Sequence, residues 1–507
     1  MKNLLQGKPA LSICTLILFV FFGVSALAQG DRRYIKFADG EHFYGLRIKH
    51  DETRTNYWVL AEGMDRRVIG LSQVDANNNV LVQKHIEQAN IPINNGLQIC
   101  YPKDFALIEG TQNIVVNSQK LSNNGANETM SLITFDNNAN MVTGVSNDYR
   151  LTLGDIRPPY GKPIVYDRPN NRYVAAYNVV NINGIPGNLV DWGIAFLDAN
   201  MNVTNDWQWS GADASQHEDV RDMCKSGTDF AFCGLRRDFA NNRMGGLITK
   251  IDAAGNLAWQ KQYVIPNYEV VFESVNPVLA PGGAELVVSG TMYPTNNPMI
   301  TSKVIIAGID ATNGNVRWCY QIALAGTEVL NNIEGFRHTI TDDMGIVVAG
   351  KITSRSTGVT SAMLLKMKNW SFNQTLDCEN ISGVQLFDWI RKYNTLDANN
   401  NVVNSSLRDV VQKLNYQDVN DVVAIGTAEV YHNNTLYNDV MFLEATVDNS
   451  YTPPRPAYSG DQSRCSTLVV EKVCTNIDPD EYNLSPLKSN KLTTTQTELV
   501  DTPWSIS

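Results

Sequence analysis

The sequence predicts an all-β protein, a β-propeller of seven four-stranded blades, and three observations carry that expectation. One phrase returns along the chain: an apolar strand, an Asp, a short Asn/Gly turn and a second apolar strand. It reads GLSQVDANNNVLVQKHI from Gly70, LITFDNNANMV from Leu132, GIAFLDANMNV from Gly193, LITKIDAAGNLAWQKQY from Leu247 and IIAGIDATNGNVRWCYQI from Ile305. The residue opening the turn recurs at Asp75, Asp136, Asp198, Asp252, Asp310, Lys368 and Asp448, at intervals of 61, 62, 54, 58, 58 and 80. Upstream of each turn lies a further strand, turn and strand, as in NPVLAPGGAELVVSGTM from Asn276 and HTITDDMGIVVAGKI from His338, so each unit supplies four strands. An open solenoid fits less well, because its repeats are usually shorter and carry one or two elements.

In chain order, residues 1–28 read as an export signal: Lys2, an apolar run from Ala10 to Ala28, and the small-residue ending Ala26-Leu27-Ala28 before Gln29. Cys14 follows Leu11-Ser12-Ile13 without the small residue that a lipid anchor needs directly before it. No later segment is long and apolar enough to span a bilayer, so a membrane-spanning role is not expected. Residues 29–450 form the propeller. Pro453, Pro454 and Pro456 forbid regular pairing after Asp448, which leaves blade seven short of a strand. The segment Arg33 to Phe37, RYIKF, is free to fill that vacancy, with Thr467 to Val473 as the alternative filler. Residues 451–474 then read as a Pro-rich, Cys-bounded closing segment, and the polar residues 475–507 as a flexible tail.

Composition bounds function. With 507 residues, 43% of them hydrophobic, the chain can bury a large core, and 41 Lys+Arg against 52 Asp+Glu disfavours nucleic acid as a partner. Export places the protein outside the cytoplasm, secreted or at the cell surface or periplasm, most consistently of a bacterium. Seven cysteines follow the signal, and the two closest pairs, Cys224 with Cys233 and Cys465 with Cys474, are disulfide candidates. No Cys-x-x-Cys or His-rich cluster offers metal ligands at usable spacing.

The stretch Asp310-Ala-Thr-Asn-Gly-Asn-Val-Arg-Trp318 resembles the tryptophan-docking repeat of quinoprotein-like propellers, and Asp252 to Trp259 is a shortened version. The other units lack the Trp, so no quinone or other cofactor is expected. In style the units are more similar to those of secreted bacterial propeller-repeat proteins, a resemblance that covers most of the chain after the signal. What it implies is a blade.

Four constellations are candidates for function. Asp75-x-Asn77-x-Asn79 and Asp397-x-Asn399-x-Asn401 resemble the opening of a calcium loop, but Val80 and Val402 stand where that loop needs Gly, and Ile86 and Arg408 where it needs Glu. An Asx turn between strands accounts for them without a metal. At the start of consecutive innermost strands stand Glu218, Glu273, Glu334 and Asp409, with Arg221, Asn276 and Arg337 three residues after the first three. Such residues approach the mouth of a propeller's channel, so the ligand-binding set is Glu218, Arg221, Glu273, Glu334, Arg337 and Asp409. The competing reading pairs each Glu with a neighbouring Arg. His217 and His338 also fall near the channel, neither beside a Ser in a nucleophile-elbow context. Trp192, Trp207 and Trp209 are placed either to stack on sugar rings or to pack between blades.

With no catalytic motif, the sequence points first to a binding or assembly module for a protein or surface glycan. Second comes a polysaccharide hydrolase or lyase using channel-mouth carboxylates, and third a structural subunit of an extracellular polymer.

Overall fold

The computed structural model describes the strands and tight turns between residues 32 and 496; residues 1–31, 36–41, 87–97, 152–158, 182–188, 368–386, 414–420, 446–462, 497–507 and several shorter loops lie outside the described residues. The expected signal, Lys368, Cys378, Asp397, Asn399, Asp448 and Cys474 fall outside them.

Seven antiparallel sheets form a ring, each with three or four strands consecutive in sequence at its centre. The innermost strands of blades 1 to 7 are Phe43–His50, Gln98–Leu107, Pro159–Asp167, Gln216–Ser226, Tyr268–Ala280, Asn332–Ile340 and Ser405–Gln412. Middle strands are buried on both faces and carry continuous apolar runs, as in Val422 to Ile425 on blade 7. The core divides into seven clusters, each shared by two adjacent blades. Ile35, Phe43, Tyr57, Val440 and Phe442 join blade 7 to blade 1, so the ring closes with no open face.

Closure uses the N-terminal filler. Arg32–Ile35 pairs antiparallel with Thr435–Ala445, Arg32 opposite Leu443 and Ile35 opposite Val440, and supplies the fourth strand of blade 7. The alternative filler sits elsewhere. The segment read from composition as a closing piece and flexible tail instead adds a fifth, outermost strand to five blades in descending order. Ser463–Cys465 joins blade 6, Leu468–Lys472 blade 5, Asp478–Glu481 blade 4, Leu487–Lys488 blade 3 and Leu492–Gln496 blade 2. Edge pairing uses main-chain groups alone, so a Thr/Asn-rich composition carries no mark that separates such strands from loop.

The recurrent Asp is a turn-former. Asp75 Oδ1 accepts the amides of Asn77 at 2.8 Å and Asn79 at 2.7 Å, while Oδ2 accepts the Asn79 side chain at 3.0 Å. Asp136, Asp198 and Asp252 repeat the pattern. The carboxylate oxygens are thus occupied by the turn's own donors, which is the Asx-turn reading. In the turns of Asp136, Asp198 and Asp252 one residue is left-handed, at φ 57° for Ala139, 63° for Met201 and 93° for Gly255. Gly255 is required twice over, because a Cβ there would lie 2.3 Å from Trp207 Nε1 of the preceding blade. Outer-strand aromatics of blades 2 and 4 likewise dock on the next blade's turn: Tyr149 Oη donates to Met201 O at 2.6 Å and Tyr263 Oη to Gly314 O at 2.7 Å.

The disulfide expectation for Cys224 and Cys233 is corrected, since both are buried free thiols, as is Cys319. The register sets Cys224 opposite Ala231 and Cys233 opposite Asp222, so the two cysteines are diagonal neighbours. Diagonal pairs lie about 7–8 Å apart between Cα atoms, too far and too oblique for a disulfide, whose Cβ atoms are about 3.5–4.5 Å apart. Among the described residues no helix is long and apolar enough to cross a membrane.

Candidate functional site at the propeller axis

All seven innermost strands slip register at the same depth, between Gly45 and Arg47, Pro102 and Asp104, Gly161 and Ile164, Val220 and Asp222, Phe272 and Ser274, Gly335 and His338, and Leu407 and Asp409. A bulge of this kind leaves one residue unpaired and re-aims the side chains beside it. The bulge residues include Lys103, Lys162, Arg221, Glu273, Arg337 and Arg408, so one level of the axis is lined mainly by cations. The residues just after the bulge include Arg47, Asp104, Asp222 and Asp409.

Those carboxylates first serve the ring. Asp409 Oδ2 accepts the Ile48 amide, Asp104 Oδ2 that of Ile164 and Asp222 Oδ2 that of Val275, each at 3.1 Å and each on the next blade round. The other oxygens of Asp104 and Asp222 meet guanidinium groups, whereas Asp409 Oδ1 accepts the Val410 amide at 2.9 Å. Arg47 of blade 1 lies 3.2 Å from Asp104 and 3.7 Å from Asp222, and Arg337 of blade 6 lies 2.6 Å from Asp222. Lys49 adds a contact to Asp104 at 2.9 Å. The result is an ionic knot that plugs the axis, with Arg47 at its centre and its Nη1 without a hydrogen-bond partner.

Burial opposes the charge on Arg47, but Asp104, Asp222 and Asp409 outweigh it and raise its pKa. Burial likewise works against ionised Asp104, and Arg47 and Lys49 overcome it, so this carboxyl lies below the usual range. Asp222 moves the other way. Burial, reinforced by Asp104 and opposed by Arg47, pushes it up to about 7 despite Arg337 at 2.6 Å. Burial also lifts Asp409 to about 6 against Arg47 and two amides.

On the side of the knot facing the N-terminal ends of the inner strands, Asp219 takes Lys162 at 2.6 Å, Arg221 at 2.8 Å and the Asn178 amide at 2.5 Å. Burial alone would raise Asp219, but these cations bring it down to about 2. Glu273 faces Arg221, Arg408 and Lys162 without touching any of them; burial raises its pKa against their attraction. Arg408 is exposed, and its guanidinium lies 4.2 Å from the Phe336 ring centroid.

The axis therefore brings together four of the six residues singled out from sequence, Arg221, Glu273, Arg337 and Asp409. Glu218 and Glu334 are engaged otherwise: Glu218 is buried 3.5 Å from Arg236 of its own blade, and Glu334 pairs with Lys351 of its own blade at 3.1 Å and accepts Tyr293 Oη of blade 5 at 3.1 Å. Both precede the bulge, where the side chain still follows the flat-strand alternation. Sequence reasoning missed Arg47, Asp104, Lys162, Asp219, Asp222 and Arg408. A signal existed in the recurring basic-Asp dipeptides Lys103-Asp104, Arg221-Asp222 and Arg408-Asp409, with Arg337-His338 in the same register.

His338 is buried and structural. Its Nδ1 meets Ser289 Oγ at 2.8 Å, that hydroxyl donates to Phe336 O at 3.0 Å, and Nε2 meets the Asn276 amide at 3.2 Å. With Nδ1 carrying the proton every donor has an acceptor, and burial lowers its pKa to about 3. Trp192 is fully buried against Phe232, and Trp207 packs in the same inter-blade cluster, the packing reading of these aromatics; the Trp209 side chain lies outside the described residues. Among the described residues no group of three or more His, Cys, Asp or Glu is placed to hold a metal ion.

No protein-family model and no curated protein sequence matches this chain. Among solved structures, the chain is similar to polysaccharide lyase Uly1, at 9% identity and TM-score 0.36, covering 72% of this chain and 92% of that one. It is also similar to a xylan beta-1,4-xylosidase from Bacillus halodurans C-125, at 6% identity and TM-score 0.30 over 91% of this chain and 100% of that one. A DUF4623 family protein from Bacteroides eggerthii matches at 6% identity and TM-score 0.31 over 83% of this chain and 100% of that one. Likenesses of this size carry no argument about activity.

Proposed function

We propose that this chain is an exported binding or assembly module, a rigid ring that presents its axial face and loops to a protein or glycan outside the cytoplasm. The observation that carries this reading is the placement of the carboxylates. A glycoside hydrolase needs two carboxyl groups facing one bond, about 5–10 Å apart. Here Glu218 is held inside its blade beside Arg236, Glu334 by Lys351 and by Tyr293 of blade 5, Asp219 by Lys162, Arg221 and Asn178, and Asp104, Asp222 and Asp409 by neighbouring amides and the axial knot, so Glu273 has no second uncommitted carboxyl among these to work with. That supports a scaffold whose ionic groups hold the ring together.

The test is capture from the cell envelope and culture medium with residues 29–507 as bait, followed by mass spectrometry of bound proteins and glycans. A stoichiometric partner that dissociates unchanged supports the module. Shortening of a captured polysaccharide that is lost in Glu218→Gln or Glu334→Gln would replace it with the hydrolase or lyase.

A further inference from the structure

We propose that the outer edge of blade 1 is the docking site of this chain's own C-terminal segment, with residues 501–505 adding to that blade the fifth strand that blades 2 to 6 already carry. The inference stands apart from the binding-module reading, because it concerns how the ring is fastened.

The described sheet of blade 1 has four strands, the outermost being Val80–Ile86. The edge of such a strand is a template for a further one. The segment that covers the same edge elsewhere approaches blade 1 in strict order, meeting blade 6, then 5, 4, 3 and 2. Twist explains the order. Neighbouring strands are rotated by about 20–25°, so three steps carry the fourth strand of a blade to roughly 60–75° from the inner one. Outer strands therefore run largely around the ring, and a strand antiparallel to one of them leads on to the blade before it. From blade 2 the next edge is that of blade 1.

Register turns this order into a position. Four residues before the turn-opening residue, the third strands of blades 1 to 6 carry Leu71, Leu132, Ile194, Ile248, Ile306 and Leu364. Their fourth-strand partners are Lys84, Asn147, Trp207, Lys261, Tyr320 and Arg391. In blades 6, 5, 4, 3 and 2 these residues pair outward with Cys465, Lys472, Glu481, Lys488 and Gln496 in turn. The steps are seven, nine, seven and eight residues, so the partner of Lys84 lies seven to nine residues beyond Gln496, at 503 to 505. Proline selects among these. Pro479 stands two residues before Glu481, opposite Tyr263, and Pro486 stands two before Lys488. An edge strand accommodates Pro where its nitrogen faces solvent. Pro503 in the same place makes Ser505 the partner of Lys84 and sets Pro503 opposite Ile86.

The test uses the whole exported chain, residues 29–507, with two readouts. The first is amide hydrogen exchange over residues 82–86, compared with a variant that ends at Gln496. That truncation removes no residue of the described core clusters, so it should fold. Exchange over 82–86 is expected to speed up about tenfold or more in the truncated chain, to stay unchanged over residues 147–151 of blade 2, and to be independent of protein concentration in the full chain. The second is disulfide formation in Lys84→Cys with Ser505→Cys. Directly opposed residues have Cα atoms about 4.5 or 5.5 Å apart, and both distances lie within the span of a disulfide. This pair is expected to cross-link within one chain, whereas Gln83→Cys with Ser505→Cys, one residue out of register and on the opposite face, is not. The proposal is overturned if truncation leaves exchange over 82–86 unchanged, if the Lys84 and Ser505 pair forms no disulfide within one chain, or if both cysteine pairs cross-link alike. Protection that grows with concentration, or a cross-link joining two chains, would overturn it in favour of a second copy on the same edge. Capture of a partner by the ring is unaffected by any of these outcomes.

Discussion

Arg337 of blade 6 reaches across the propeller axis to Asp222 of blade 4, placing Nη1 2.6 Å from Oδ1, and Arg47 of blade 1 approaches the same oxygen at 3.7 Å. One carboxylate thus ties three blades that are not neighbours, while its other oxygen holds the Val275 amide of blade 5. Removing it leaves two guanidinium groups in a buried site without their counterion. Asp222→Ala is expected to destabilise the ring by about 3–5 kcal/mol, the usual cost of breaking a buried ion pair from one side. Thermal unfolding would show it as a drop of several degrees. An unchanged melting temperature would mean that the knot is solvated and carries no load.

The same group shapes the pH dependence. Asp222 and Asp409 sit at about 7 and 6 in the fold, above their unfolded values, so the native state holds protons that the unfolded chain has released. Their contribution is full below about pH 4, the unfolded aspartate value, and declines as pH rises through their folded values. His338, depressed to about 3, and His50, depressed by burial, act oppositely and lose stability as pH falls below about 6.5. Between about pH 4.5 and 6.5 the two effects oppose one another, so stability changes less than either set would give alone. Above that range Asp222 acts alone and stability declines to about pH 8; below about pH 4, Asp219 and Asp104, held low in the fold, are protonated and stability falls steeply. Calorimetry across this range checks the shape. A melting temperature that climbs steadily from pH 5 to 8 would show that the histidines outweigh the carboxylates and would sink the argument.

How much of this was legible in the sequence depends on what each feature requires of side chains. The Asp turns and apolar strands recur because each blade needs the same local chemistry, so blade count follows from periodicity, while the prolines after Asp448 point to a missing strand and leave Arg33 to Phe37 and Thr467 to Val473 as its two fillers. The axial knot is different. Arg47 and Asp222 are 175 positions apart, and what joins them is the bulge, a backbone event that turns Asp222 toward the axis while Glu218, four residues earlier, still faces into its blade. The outer strands from Ser463 to Gln496 were hidden for another reason: they need only free main-chain groups on a sheet edge.

Closure predicts a sharp contrast between two aliphatic positions. Ile35 is 3% exposed and packs in the cluster joining blades 7 and 1, whereas Leu81 on the outer strand of blade 1 is 52% exposed. Ile35→Ala should cost about 2–5 kcal/mol and Leu81→Ala within about 0.5 kcal/mol. Limited proteolysis should cut the Ile35 variant faster. Equal stability of the two variants would show that the N-terminal strand does not close the ring.

The docking of outer-strand aromatics on the next blade's turn can be isolated with two glycines of similar backbone. Gly227 has φ 66° and Gly255 has φ 93°, so an Ala at either position meets the left-handed penalty of about 1–2 kcal/mol. Nothing lies within 4 Å of a Cβ built at Gly227, but at Gly255 that atom would sit 2.3 Å from Trp207 Nε1 and 2.9 Å from Phe196 Cε2. Phe196 is fully buried and Trp207 packs in the cluster between blades 3 and 4, so neither ring can yield without opening that interface. Gly255→Ala should therefore cost at least about 1 kcal/mol more than Gly227→Ala, the order of an overpacking penalty. A second marker separates the two causes: Trp fluorescence should shift in the Gly255 variant and stay constant in the other. If both variants lose the same stability with identical spectra, the turn is held by its Asp alone and the aromatic contact across the blade boundary contributes nothing.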